Sequence, residues 1–295
     1  MYVITGATGN TGKRIAEALL SKGEPVTVVS RSADKVKDLV AKGAKAAIGD
    51  LEDAAFLTKT FTGATAVYAM IPPNFAVTDF RAYQNRVGKS LAEAIEKSGV
   101  KYVVFLSSIG AHTPESGVVA GAYDFEKMLK KIDGINVLNL RAGFFMQNFF
   151  GNVGLIKQAG INGGFPINGD IKLAMVHTDD IAGVAVKHLL ALDFKEQSHI
   201  YVAGERDLTL AEATKVLGEA IGKPELPWVT FGYEQAADGM SKMGMPQTVV
   251  DGYVQFSKSV NGGVYGSDYT RKPEYTTPTS IESFAKEFAG AYQNS

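Results

Sequence analysis

The stretch GAYDFEKML, residues 121–129, carries Tyr123 and Lys127 four positions apart. On a helix that spacing puts both side chains on one face, with Cβ atoms roughly 5–6 Å apart. A lysine so placed can hold a nicotinamide ribose and lower the tyrosine pKa from its ordinary value of about 10. Tyr123 is then a general acid for hydride transfer, and Ser107 or Ser108, in FLSSIG, orients a carbonyl oxygen. The same residues also fit an ordinary amphipathic helix. On that reading Tyr123, Phe125 and Met128 pack, Lys127 is solvated, and the serines satisfy backbone groups at a strand end.

A second cluster lies at the N-terminus. ITGATGNTG places Gly6, Gly9 and Gly12 between a first strand and a first helix. Glycines there allow a tight turn, close approach of backbone to a pyrophosphate, and close helix packing. The free N–H groups and dipole of the helix start favour phosphate. The second strand ends in VVSRSADK, with Ser30 and Arg31 where an NAD site carries an acid. Arginine suits a 2′-phosphate by charge and by its planar fork of donors, and Lys35, one helical turn on, adds charge. The alternative is a solvated Arg31. The third strand ends in GDL, so Asp50 and Leu51 fall near an adenine, or Asp50 is a loop or N-cap residue.

The elements that must position these groups alternate along the first half. MYVITG, PVTVVSR, AKAAIGD, ATAVYAMIP, KYVVFLSSIG and NVLNLRAG read as strands with helical patterns between them. The strands are continuous apolar runs, as expected when helices cover both faces. The expectation is an α/β fold with a doubly wound parallel (Rossmann) sheet and a smaller, mostly helical substrate lobe. Residues 1–150 form the dinucleotide domain, 173–204 return to it, and 151–172 with 205–295 make the lobe. Asp179 or Asp180 is expected to cap the helix that follows LAMVHT.

The 295 residues carry a net charge of −1 and no long basic run, so a nucleic-acid partner is not expected. With no cysteine, disulfides, zinc–thiolate sites and thiol nucleophiles are excluded. The four histidines lack ligand spacing, so no metal is expected. No apolar run of about 18 residues occurs, so no membrane span is expected, and a cytoplasmic location is.

TGATGNTG, VVSRSADK, GDLED, FLSSIGA, EKML, LRAGFFMQNF and HTDDIA, in that order, resemble the atypical NmrA-like branch of the short-chain dehydrogenase/reductases. The nearest look is to its quinone, azo-dye and triphenylmethane reductases. The resemblance implies NADP(H) as cofactor. It implies that Gly6, Thr8, Gly9, Asn10, Thr11 and Gly12 form the phosphate loop and that Arg31 recognises the 2′-phosphate. It implies that Ser107 and Ser108 stand beside the nicotinamide and that Lys127 recurs in EKML segments. Tyr123 is not demanded by the branch. Phe144, Phe145 and Met146, with Phe149 in the same GFFMQNFF stretch, match a wall between nicotinamide and an apolar acceptor; that stretch fits lobe core equally well. Two functions follow: an NADPH-dependent reductase of a quinone or dye, or a redox sensor of the same branch acting through a protein partner. A sugar-nucleotide epimerase is a third reading, disfavoured because the lobe has few basic residues placed for a diphosphate.

Overall fold

The computed structural model describes residues 1–295. Its elements run β1 (Tyr2–Ile4), α1 (Asn10–Ser21), β2 (Val26–Ser30), α2 (Lys37–Ala41), β3 (Lys45–Ile48), α3 (Ala54–Phe61), β4 (Ala66–Ala69), α4 (Phe80–Ser98), β5 (Tyr102–Ser108), α5 (Ala120–Leu129) and β6 (Asn136–Ala142). They continue with β7 (Phe144–Phe145), α6 (Val153–Ala159), β8 (Asn162–Gly163), β9 (Lys172–Val176), α7 (Thr178–Ala191) and β10 (Gln197–Val202). The chain closes with β11 (Asp207–Thr209), α8 (Leu210–Ala220), β12 (Trp228–Val229), α9 (Tyr233–Lys242), α10 (Gln247–Asn261) and α11 (Ile281–Asn294).

Seven parallel strands form the main sheet in the order β10-β6-β5-β4-β1-β2-β3. Strand order reverses between β1 and β4, and ligands of open α/β sheets bind at the strand carboxyl ends beside such a point. The two faces are separate cores, fed by alternate residues of each strand. Ile4 and Tyr68 join Ile15, Leu19 and Ile181 of α1 and α7 on one face. Val3 and Val67 join Leu91, Ile95 and Phe125 of α4 and α5 on the other. A third core, including Ile156, Leu217, Phe284 and Phe288, lies under the helical lobe.

Local chemistry sets the ends of the helices near the cleft. Asp79 caps α4 by accepting from Ala82 N, and Gly99 ends it at φ +72°. Thr209 and Glu212 make a reciprocal capping box on α8. His177, rather than Asp179 or Asp180, caps α7, its ring accepting from Asp179 N. The return segment also divides differently from the expectation. α7 packs on the main sheet and β10 pairs with β6, but β9 pairs with β7 and β11 in a small separate sheet. Phe125 anchors α5, which borders the cleft. It is fully buried and meets Phe105 of β5 edge to face at 4.7 Å. Loss of such a ring costs about 3–5 kcal/mol.

Candidate active site

The glycine loop divides its work. Gly6 turns at φ +62°, and a Cβ there would lie 2.5 Å from Met70 Sδ. A Cβ on Gly12 would lie 2.3 Å from Gly6 O, so helix and loop touch at that point. Gly9 is in extended conformation (φ −94°), and its Cβ would meet only Gly6 O at 3.4 Å. Thr11 is buried and its hydroxyl receives a hydrogen bond from Tyr68 at 3.0 Å, so its side chain is scaffold. Thr8, Gly9 and Asn10 are exposed and line a polar cavity of about 310 Å³ with Lys13, Gln147 and Thr178. No side chain caps α1. The free N–H groups of its first turn therefore have no protein partner, with Lys13 and Arg14 alongside. This arrangement fits a pyrophosphate.

Arg31 is exposed just beyond β2, and Lys35 is exposed on the turn that follows. Arg31, Glu52, Asp50 and Arg86 all act electrostatically on the Tyr83 hydroxyl, whose pKa is raised mainly by burial. Arg86, held to Glu52 at 2.7 Å, is thus a second cation at this end of the site. Asp50 is a loop residue that accepts from Glu52 N at 2.9 Å; the N-cap of α3 is Asp53. Leu51 packs against the core below α3 and α4.

Beyond the end of β5 opens an apolar cleft of about 290 Å³. Phe144 and Phe145 line it, as do Phe75, Phe80, Tyr253 and Phe256. Ser107 and Ser108 stand in it, so the strand-end serines and the first two aromatics of GFFMQNFF come together. Met146 and Phe149 do not. Each is 1% exposed and packed in the lobe core, because the chain coils into a 3-10 turn after Phe145 and rotates them away. GFFMQNFF is both cleft wall and core: Phe144, Phe145 and Asn148 line the cleft, while Met146 and Phe149 pack in the lobe. Gln84 also lines the cleft; its Nε2 donates to Val118 O while its buried Oε1 has no partner.

Tyr123 and Lys127, expected as a catalytic pair, do not line this cleft. The side of α5 that lines the cleft is that of Ala122. Tyr123, Glu126 and Lys127 border a separate cavity of about 400 Å³ with His112, Arg141 and His199. Lys127 is exposed, its Nζ 4.4 Å from the centre of the Tyr123 ring. The α5 residue that meets Ser107 is Glu126, at 2.5 Å from Oγ to Oε1. Arg141 clamps both oxygens of Glu126, at 3.1 and 2.7 Å, and reaches Asp268 at 2.8 Å. Burial alone pulls the Arg141 pKa down, but the hydrogen bonds and charge of Glu126 override it and the net shift is upward. Asp268 also takes a 2.7 Å hydrogen bond from Tyr201, whose pKa burial pushes up to about 12, with the Asp268 bond adding to it.

Sequence reasoning missed this ion-pair network and Tyr265. Tyr265 follows α10 and lines the cleft floor beside Ser108, with 6% of its surface exposed. Burial pushes its hydroxyl up to about 12 against an opposing contribution from Ser108. NGGVYGSD reads as a turn, so nothing local marks this tyrosine as part of a site. The EK and LR pairs were visible, but their partnership is set by β5, β6 and α5 lying side by side.

The model of the NmrA-like family matches residues 2–230. The chain belongs to that family. Among curated proteins it is 31% identical over 252 residues to the NAD(P)H azoreductase of Xenophilus azovorans, covering 85% of this chain and 84% of the relative. Among solved structures it shares its fold with the NADPH-dependent quinone oxidoreductase of Escherichia coli complexed with NADPH. That match has a TM-score of 0.80 and 23% identity over 97% of this chain and 99% of the other. The triphenylmethane reductase of Citrobacter sp., complexed with NADP(H), matches at a TM-score of 0.74 and 16% identity over 98% and 100% of the two chains. The uncapped α1 and the apolar cleft thus belong to a fold also found in NADPH-bound reductases.

Proposed function

We propose that the protein is an NADPH-dependent reductase acting on a small, apolar, conjugated acceptor such as a quinone or dye. The observation that carries this is the apolar cleft at the C-terminal end of β5, beside the strand-order switch and lined by aromatic rings including Phe144 and Tyr253. The azoreductase relative, at 31% identity, supports the same chemistry. NADPH, when bound, supplies the hydride. The chain supplies seating: α1 and Thr8, Gly9 and Asn10 hold the pyrophosphate, and Arg31 with Lys35 and Arg86 holds the 2′-phosphate. The cleft walls exclude water and orient the acceptor, and orientation alone contributes much of such a reaction. Residues 151–172 and 205–295 act as the lobe that forms the acceptor side. The sensor reading has less support, because a built acceptor cleft serves no purpose in a protein that only binds dinucleotide.

No helix is long and apolar enough to cross a membrane, and we place the activity in the cytoplasm. The test is a titration of purified protein with NADPH and NADH, followed by a panel of quinones, azo dyes and triarylmethane dyes. Preference for NADPH and its consumption with at least one acceptor class are expected. Tight NADPH binding with no consumption by any acceptor would overturn the reading.

A further inference from the structure

Three hydroxyls stand at the floor of the cleft where β5 ends: Ser107, Ser108 and Tyr265. A hydroxyl has one hydrogen to give. Ser107 gives its hydrogen to Glu126 at 2.5 Å, and Ser108 gives its own to Ile109 O at 2.7 Å. Neither can donate to a bound acceptor without breaking a bond it already makes. For Ser107 the broken partner would be a carboxylate that Arg141 holds in place from the other side.

Tyr265 is placed differently. Its ring is fixed against Phe256, with centroids 5.1 Å apart and planes near perpendicular. On another side it lies against Gly110, where a Cβ would come within 2.6 Å of its Cδ2. Ser108 is the hydroxyl beside it, but no hydrogen bond joins the two side chains, and Ser108 gives its own hydrogen to Ile109 O. No carbonyl or carboxylate of the protein takes the tyrosine's hydrogen. Tyr253 also lines the cleft, but it sits among Phe75 and Phe165, at ring distances of 5.9 and 5.5 Å, and Phe75 is 40% exposed. That places Tyr253 toward the mouth and Tyr265 at the floor.

We infer that Tyr265 is a catalytic residue whose hydroxyl donates a hydrogen bond to the reducible oxygen of a quinone or other carbonyl acceptor. This rests on the reductase reading above. The acceptor gains two electrons and one hydrogen with the hydride, NADPH is oxidised to NADP+, and negative charge collects on the acceptor's oxygen. A preorganised donor in a water-poor pocket stabilises that charge. The proton that completes the hydroquinone comes from water, so the tyrosine ends each turnover unchanged. Its raised pKa of about 12 suits a donor that keeps its proton.

The role depends on acceptor class. A triarylmethane dye cation takes hydride at carbon and develops no negative oxygen, so it needs no donor at the cleft floor. The experiment compares wild type, Tyr265→Phe and Tyr253→Phe with NADPH and either a benzoquinone or a triarylmethane dye. NADPH affinity is measured separately by fluorescence titration. Tyr265→Phe is expected to lower kcat on the quinone about 10- to 100-fold, the worth of a hydrogen bond to a charged group. Dye reduction and NADPH affinity should stay within about twofold of wild type, small beside that effect. The quinone loss in Tyr253→Phe should be smaller than in Tyr265→Phe. Equal losses on both acceptors, weakened NADPH binding, no loss on the quinone, or a loss carried by Tyr253 instead would overturn the assignment. A wild type that binds NADPH but reduces neither acceptor would instead sink the reductase reading, and the assignment with it.

Discussion

Ser107 and Glu126 are joined by a 2.5 Å hydrogen bond that ties the end of β5 to the middle of α5. Behind it Arg141 pairs with Glu126 and with Asp268, and these three side chains are between 11% and 23% exposed. The hydroxyl that faces the cleft is therefore set by an ion-pair network outside it. Removing one partner leaves charges stranded in a poorly hydrated site, which typically costs about 3–5 kcal/mol. Arg141→Met should lower the unfolding free energy by that amount, read as a lower denaturant midpoint at unchanged slope, and adding Glu126→Gln should recover part of it. An Arg141→Met protein as stable as wild type would contradict the network's structural role.

Gly9 and Gly12 should separate ligand contact from loop folding. Gly9 is unstrained and its Cβ position is open within the protein. Gly9→Val should therefore abolish dinucleotide binding while the melting temperature of the free protein holds. Gly12→Ala drives a Cβ to 2.3 Å from Gly6 O and should lower stability and binding together. Normal binding by Gly9→Val in a titration would place the phosphates elsewhere.

Arg31 should set cofactor choice. Arg31→Ala is expected to weaken NADPH by about 1.5–3 kcal/mol, the worth of a charge-assisted hydrogen bond, and to leave NADH nearly unchanged. Equal losses for both cofactors would show that Arg31 does not read the 2′-phosphate.

Tyr123 and Lys127 should behave as surface residues. They border a cavity other than the acceptor cleft, with Lys127 lying over the Tyr123 ring. Tyr123→Phe and Lys127→Ala should each change kcat and NADPH affinity by less than about threefold, well short of general-acid catalysis at about 10²–10⁴-fold. A large loss in either variant, with the fold intact by circular dichroism, would return them to the site.

Alkaline stability should report the buried tyrosines. Tyr265 titrates near 12 in the folded chain against an ordinary 10.0. Between those values the folded form holds a proton that the unfolded form has lost, so stability falls as pH rises from 10 towards 12 and is unaffected below. Tyr68, raised by burial, acts in the same sense. Tyr265→Phe should shallow this alkaline limb of the unfolding curve; an unchanged limb would mean that its hydroxyl is not desolvated.

The fold and the glycine loop between β1 and α1 were legible because both are written in local patterns. Apolar strands, helices between them and glycines at a strand–helix turn fall within short windows of chain. Asp79 and Thr209 are likewise caps that read from their neighbours alone. The acceptor side was less legible because it is assembled from distant segments. Phe75, Phe144, Tyr253 and Tyr265 share one cleft but span 190 positions of the chain. Spacing placed Tyr123 and Lys127 on one helical face, and the structure bears that out. Which face turns to the cleft depends on how Phe125 and Leu129 seat α5 against the sheet, and no four-residue motif encodes that. GFFMQNFF was ambiguous for a related reason: a bend after Phe145 assigns adjacent residues to different surroundings.

The central claim is that the cleft beside β5 receives hydride from NADPH. The most direct measurement uses NADPH deuterated at the transferable position of nicotinamide C4, with a triarylmethane dye cation whose reduced carbon retains the label. Mass spectrometry of the leuco product should show one deuterium per molecule, formed only with protein present. Replacing Phe144 at the cleft wall by a charged residue should slow that transfer without loosening NADPH. Bound NADPH that never passes deuterium to any acceptor would contradict the account and leave a dinucleotide sensor in its place.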